Sequence, residues 1–205
     1  MVKIYDITNT IFASKTYILY REGEDESWLV DIGDIEPVLS FLESKNLTVA
    51  GVFITHAHFD HIYGLESLVQ KFPRCRVYCT EYCQEALASE RLNMSRYHGS
   101  PINYARNNIV IVNDGMKLQL FENEPWMFFY ETPGHNPGCL TMVMSDVIFT
   151  GDSFIPGVGA NTKVPKADKV LAEQSLKRIL ELAEGKKILS GHKTNVSAIT
   201  QGVQE

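Results

Sequence analysis

Val49-Ala50-Gly51-Val52-Phe53-Ile54-Thr55-His56-Ala57-His58-Phe59-Asp60-His61 is the stretch on which the reading of this chain turns. Val49–Ile54 is an apolar run rich in β-branched residues and reads as a buried strand. After it, Ile62, Leu65, Leu68, Val69 and Phe72 recur at helical spacing, so a helix is expected over His61–Phe72. The His/Asp run thus lies where a strand ends and a helix begins, a natural place for a functional site. Three of the chain's six histidines fall inside it. By composition alone, H-x-H-x-D-H is expected in about 2 of 10,000 such chains, so the run is a strong signal. Its spacing has a mechanical reason. Beyond a strand end, His56 and His58 can point the same way and grip one metal ion, while Asp60 and His61 turn with the helix start toward a second. Imidazole and carboxylate together suit zinc, iron or manganese.

Working outward, three further residues share this setting. His135 lies in the rigid turn Thr132-Pro133-Gly134-His135-Asn136-Pro137-Gly138, after an apolar run. Asp152 follows Val147–Thr150 and Gly151, and His192 follows Leu189-Ser190-Gly191. Each is a ligand-type residue just past a strand end, beside a glycine that lets backbone approach closely. A lone histidine is usually a satisfied core residue. Here five of the six obey one rule, which reverses that prior.

The remaining pattern is that of an α/β fold. Val2–Ile7, Thr16–Tyr20 and Trp28–Ile32 read as strands, Ile35–Lys45 as an amphipathic helix, and Arg76–Cys79 as a strand that breaks at Thr80 before another helix. In the second half, strands are expected at Ile109–Val112, Met116–Phe121, Trp126–Thr132, Leu140–Met144, Val147–Thr150 and Lys187–Leu189, with a helix over Lys169–Ala183. Trp28-Leu29-Val30-Asp31-Ile32-Gly33-Asp34 and Val147-Ile148-Phe149-Thr150-Gly151-Asp152 both end an apolar strand in Gly-Asp. This hints at two pseudo-equivalent halves, roughly 1–89 and 109–205, within one domain. Two sheets with helices outside would make a four-layer αββα sandwich. Residues 90–108 are polar, with aromatics and a Gly/Pro break, and read as a connector or lid.

Composition narrows the function. Length 205 suits a single domain with a sizeable core, and 44% hydrophobic and 21% charged residues are ordinary for a soluble protein. A net charge of −6 disfavours a long phosphate-tracking surface, so no nucleic-acid partner is expected. The lysines of 163–193 are interspersed with Glu173, Glu181 and Glu184 and read as a solvated face. No bilayer-length apolar run is present and Met1–Ile7 does not read as a signal peptide, so a cytoplasmic location without membrane contact is expected. Cys75, Cys79, Cys83 and Cys139 are expected to be free thiols that do not converge on a metal, because structural zinc sites favour tighter pairs.

These segments resemble the metallo-β-lactamase superfamily over nearly the whole length. Its five signature segments stand in order: Asp31 in Val30-Asp31-Ile32-Gly33, the run Thr55–His61, then His135, Asp152 and His192. The resemblance implies that His56, His58 and His135 bind one metal and that Asp60, His61 and His192 bind the other. Asp152 would bridge them, and Asp31 would support from behind. It implies two divalent ions, zinc first, with iron or manganese as alternatives. Thr132–Gly138 and Thr150-Gly151-Asp152-Ser153-Phe154 are most similar to compact glyoxalase II-like hydrolases. The sequence departs from that pattern at Gly159-Ala160-Asn161, where an arginine is often found, and at Lys193, where a glycine is. The helical C-terminal domain with which full-length glyoxalase II holds glutathione is not expected. Commonest-class β-lactamases lack a histidine at the His61 position, which argues against an antibiotic substrate.

The implied activity is metal-dependent hydrolysis of a small carbonyl substrate, a thioester such as a hydroxyacylglutathione, or an ester or lactone. Asp60 would orient the attacking water. An ester would need a proton donor, for which Tyr97, His98 and Tyr104 in the connector are candidates against the plainer reading of solvated loop. One rival is a mononuclear iron persulfide dioxygenase that uses a subset of these ligands. Another is a nucleic-acid phosphodiesterase, which the charge disfavours. A scaffold protein with a vestigial site is a third, and the intact donor set argues against it.

Overall fold

The computed structural model describes residues 1–123 and 125–193. Two sheets face each other. The first runs in the order β1 (Lys3–Thr8), β2 (Lys15–Tyr20), β3 (Glu26–Val30), β4 (Thr48–Phe53), β5 (Arg76–Cys79) and β6 (Ile109–Ile111). The pairs β1–β2 and β2–β3 are antiparallel, and from β3 onward neighbours are parallel. The second runs β11 (Lys187–Ser190), β10 (Val147–Gly151), β9 (Leu140–Met144), β8 (Trp126–Glu131) and β7 (Lys117–Gln119), with only β10 and β11 parallel. The first sheet takes its last strand, β6, from beyond the connector.

Period-two alternation explains how each strand serves two layers. In β2, Tyr17 and Leu19 face the second sheet, and Ile18 faces the helices. Their partners in β3 follow suit: Tyr17 pairs with Val30 and Leu19 with Trp28, while Ile18 pairs with Leu29. The core between the sheets is aromatic, with Phe53, Phe129 and Phe149 almost fully buried. Each such side chain contributes roughly 1.5–3 kcal/mol by leaving water. Outside the first sheet lie α1 (Ile35–Lys45), α2 (Leu65–Lys71) and α3 (Glu81–Leu87), which bury Val38, Leu42, Leu65, Leu68 and Leu87. Against the second sheet lies α4 (Lys169–Leu182), whose Ile179 packs on Val143 and Ile148. The four layers expected from the sequence are therefore formed.

The helix expected over His61–Phe72 is shorter. Residues Phe59–His61 form one 3₁₀ turn, and α2 starts at Leu65. The reason is a competing bond: the carbonyl of His61 accepts from the amide of Ile32 (2.9 Å), so it does not start a helical ladder. Leu65 instead donates to the carbonyl of Ile62. Gly64 makes the approach possible, because a Cβ there would lie 2.2 Å from the carbonyl oxygen of Gly33. The motif is thus tied to the exit of β3, where Asp31 sits.

The connector is pinned despite its polar sequence. Buried Asn93 donates to the carbonyl of Ile102 (2.9 Å), and its side-chain oxygen accepts from the amide of Ser95 (2.9 Å). Tyr104 packs into the core under the connector and donates to Asn108 (2.8 Å). All four cysteines are buried and free. Among the described residues no helix is long and apolar enough to cross a membrane.

Candidate metal centre

The parallel strands of the first sheet and β10 and β11 of the second end at one rim, and the polar residues past those ends meet there. Asp31 follows β3, His56–His61 follow β4, Asp152 follows β10 and His192 follows β11. His135 comes from the turn between β8 and β9. The two sheets are joined beside the site, where the amide of Leu140 donates to the carbonyl of Thr55 (2.8 Å).

The seven donors converge. Groups whose donor atoms all lie within 4.8 Å of one another are His56, His58 and His135; His56, His61 and Asp152; and Asp60, His61 and His192. His58 Nδ1 stands 2.9 Å from His135 Nε2, and His61 Nε2 stands 3.4 Å from His192 Nε2. Asp152 Oδ2 is 3.2 Å from His192 Nε2 and 3.6 Å from His135 Nε2. Asp60 Oδ2 is 3.3 Å from His192 Nε2 and 3.4 Å from His61 Nε2.

The outer nitrogens fix which atoms point inward. His61 Nδ1 faces Asp31 Oδ2 (2.8 Å), His135 Nδ1 faces the carbonyl of Asn161 (2.8 Å), and His192 Nδ1 faces the carbonyl of Phe12 (3.0 Å). Each of these partners accepts, so each ring donates outward from Nδ1 and turns its Nε2 into the centre, where the neutral ring offers a lone pair. Lone pairs then face lone pairs and carboxylate oxygens. Such an array suits cations. Two further atoms agree: His56 Nε2 and Asp152 Oδ1 are buried without any hydrogen-bond partner, which is expected of a donor set built for metal. Gly191 belongs to the same cradle, since a Cβ there would fall 2.2 Å from Asp152 Oδ1.

Electrostatics follow from this crowding. Burial and the neighbouring histidines hold His56 well below its ordinary value and push His58 down to about 3. Burial also opposes charge on His61, but the carboxylates of Asp60, Asp31 and Asp152 outweigh it and push His61 up to about 10. Burial works against ionised Asp152, yet His61, His192 and His135 hold it well below the carboxylate range. The protein alone therefore sets protonated and unprotonated rings side by side. Bound cations would remove that conflict.

Behind the donors stands Asp31, buried and in the left-handed region (φ 56°). Its carboxylate accepts from the Thr55 amide (2.8 Å), the Thr55 hydroxyl (2.7 Å) and His61. Thr55 and Asn136 join the site without having stood out in the sequence. The Thr55 hydroxyl is 3.2 Å from His56 Nδ1, and Asn136 Nδ2 is 3.3 Å from His58 Nε2. Both are chain neighbours of ligand histidines, so adjacency was the available signal. The carbonyls of Phe12 and Asn161 had none, because backbone acceptors carry no residue signature. Of the connector candidates, Tyr104 lies in the core and Tyr97 is two-thirds exposed beside Arg96. Neither joins the donor cluster. His98 alone touches the motif, stacking on Phe59 with ring centroids 4.7 Å apart.

Comparison with known proteins agrees with this geometry. Residues 12–192 match the family described as the metallo-beta-lactamase superfamily. A hydroxyacylglutathione hydrolase from Pseudoalteromonas translucida is 30% identical over 146 residues, 70% of this chain. The chain spans about half the length of that curated relative, 48%. The crystal structure of the B3 metallo-β-lactamase BLEG-1 superimposes with a TM-score of 0.84 at 27% identity, covering 94% of this chain and 92% of that one. The structure of TTHA1623 in a di-iron-bound form gives 0.77 at 25% identity, covering 93% and 92%.

Proposed function

From a chain that belongs to the metallo-β-lactamase superfamily, we propose a metal-dependent hydrolase that attacks the carbonyl carbon of a small substrate, a thioester first and an ester or lactone next. The observation that carries this reading is the convergence of seven inward-facing donors with two of their atoms orphaned in the protein alone. His56, His58 and His135 would hold one divalent ion, Asp60, His61 and His192 a second, with Asp152 between them. Such ions, when bound, polarise a carbonyl oxygen and lower the pKa of water toward neutrality.

The chain's own part is positioning. Asp60 presents a carboxylate beside His61 and His192, where it can accept a hydrogen bond from the attacking water and aim its lone pair. Ser14 fixes that residue from behind by donating to the Asp60 carbonyl (2.7 Å). Covalent catalysis by a thiol is disfavoured. Cys139, the cysteine in the His135 turn segment, is buried, and burial pushes its thiol up to about 12. A thiolate leaving group departs without a general acid, which suits a centre whose histidines are all turned inward. The relative named a hydroxyacylglutathione hydrolase supports the thioester class. A di-iron-bound neighbour keeps iron beside zinc as a candidate.

The test is metal analysis of the purified protein beside a panel of acyl-glutathione, acyl-CoA, lactone, β-lactam and phosphodiester substrates. Two equivalents of metal with thioester or ester turnover are expected. Less than one equivalent, with no hydrolysis of any carbonyl substrate after loading with zinc, iron or manganese, would overturn the reading. Oxygen uptake with glutathione persulfide at one iron per chain would favour the dioxygenase instead.

A further inference from the structure

We propose that Phe12, His98 and Phe59 form a substrate shelf beside the metal centre that receives a flat aromatic or apolar arm of the substrate. This rests on the hydrolase reading and adds a substrate class to it.

Phe59 stands between His58 and Asp60 and is buried. Its ring lies parallel to that of His98, with 6° between the planes and 4.7 Å between centroids. Phe12 meets the outer part of His98 edge-on, at 5.5 Å and 77°. The three rings reach from the metal-binding motif out to solvent, where Phe12 is 62% exposed. None of them carries a carboxylate, ammonium or guanidinium group, and the nearby cation Arg96 is paired with Glu90 at 3.8 Å.

The backbone that presents Phe12 is what separates this from an incidental surface aromatic. Phe12 and Ala13 both lie in the left-handed region, each with φ 53°, and neither is glycine. Such strain persists only where the surroundings impose it. Here they do. Buried Asn9 donates to Ser14 (3.1 Å) and Thr16 (3.2 Å), Thr10 donates to Asp34 from both amide (2.7 Å) and hydroxyl (3.0 Å), and the Ala13 carbonyl accepts from Lys193 (2.9 Å). A polar network, buried at Asn9, Ser14 and Thr16, thus holds a strained turn whose product is an exposed phenyl ring. Packing does not account for that ring, since most of it faces water. Its position does. The Phe12 carbonyl accepts from His192, so the turn is anchored at the Asp60–His192 side of the centre, and its ring lies against His98. A planar arm laid on His98 and against Phe12 would gain stacking and burial there.

The experiment compares S-benzyl thioacetate and S-methyl phenylthioacetate with S-methyl thioacetate, on metal-loaded wild type, Phe12→Ala, His98→Ala and Phe12→Tyr. At least one aromatic substrate should be preferred by wild type over the methyl reference. In each alanine variant the ratio of kcat/KM, aromatic over methyl, should fall about five- to tenfold. The loss should sit in KM, metal content should match wild type, and Phe12→Tyr should keep the ratio. A fall shared equally by all three substrates, or no change in the ratio, overturns the shelf. Should no thioester be hydrolysed, the hydrolase reading fails on its own. The shelf is then judged by saturation-transfer NMR with S-benzyl thioacetate. A transfer signal with wild type that disappears in Phe12→Ala sustains it. A signal absent from wild type, or unchanged in Phe12→Ala, ends it.

Discussion

At the residue scale the centre depends on which nitrogen of each histidine is free, and Asp31 sets this for His61. Its carboxylate serves three donors, the Thr55 amide, the Thr55 hydroxyl and His61 Nδ1. In Asp31→Asn one oxygen becomes an NH₂ that faces a donor, so at least one of the three bonds is lost. The expected outcome is a fold that survives with metal affinity down about 10- to 100-fold, read by competition with a chelator. Unchanged affinity would show that His61 needs no such support. The thiols give a second prediction. Burial pushes both Cys75 and Cys139 up to about 12, from 9.0. At pH 8 the native protein should leave both unmodified by iodoacetamide while the urea-unfolded chain reacts at all four cysteines. The sign for stability follows. Between about pH 9 and 12 the unfolded chain gives up thiol protons that the native chain keeps, so these groups' contribution is whole below 9 and is lost as pH rises toward 12. Rapid alkylation of either cysteine in native protein at pH 8 would contradict the burial.

At the element scale the strand ends were legible because apolar alternation and ligand-type residues coincide there. Helix starts were legible only where no long-range partner intervened. Ile35–Lys45 follows its own periodicity and ends in Asn46, in the left-handed conformation. The segment after the motif does not, because the His61 carbonyl is taken by Ile32, a partner 29 residues earlier that local spacing cannot reveal. The same holds for the loops behind Phe12 and Asn161, which reach the site through backbone carbonyls. The contact between β3 and the motif can be tested at Gly64. An alanine there would place its Cβ 2.2 Å from the Gly33 carbonyl oxygen, which is backbone and cannot swing aside. Gly64→Ala should cost roughly 1–3 kcal/mol in urea unfolding and should weaken metal binding, since it pushes the Asp31 segment from the motif. For comparison, the Asp168 side chain caps α4 by accepting from Leu171 (3.0 Å), outside the contact between β3 and the motif, and its amide bond to Gly134 survives in alanine. Asp168→Ala should cost about 1 kcal/mol with metal binding retained. Equal metal loss in both variants would mean that general destabilisation, not the β3 contact, is responsible.

At the scale of the whole molecule the centre is a clasp between sheets. Asp60 and His61 leave the first sheet, Asp152 and His192 leave the second, and His135 crosses from the second toward His58. Between them the sheets share an apolar core, but at this rim they also meet through crowded histidines and carboxylates, some of whose buried atoms have no partner in the protein itself and would gain one from a cation. Folding and metal binding are therefore linked: an ion that binds only the assembled rim stabilises the native state by the logarithm of its saturation. At a free metal concentration one hundred times Kd this amounts to about 2.7 kcal/mol for one site. For a chain of this size that corresponds to a rise in Tm of roughly 5–10 °C. Stripping the metal with a chelator should lower Tm by that amount, and readdition should restore it. His58→Ala removes one donor of the His56–His58–His135 group without touching the inter-sheet core, so it should shrink the response and abolish hydrolysis together. Acid should mimic the chelator, because protons compete for the same inward nitrogens. The metal-dependent part of Tm should fall away as pH drops below the range in which the histidines can give up their protons. A chelator-treated protein that melts with the untreated one, at a metal content shown to be zero, would mean that the apolar core alone holds the sheets and that the rim is no clasp.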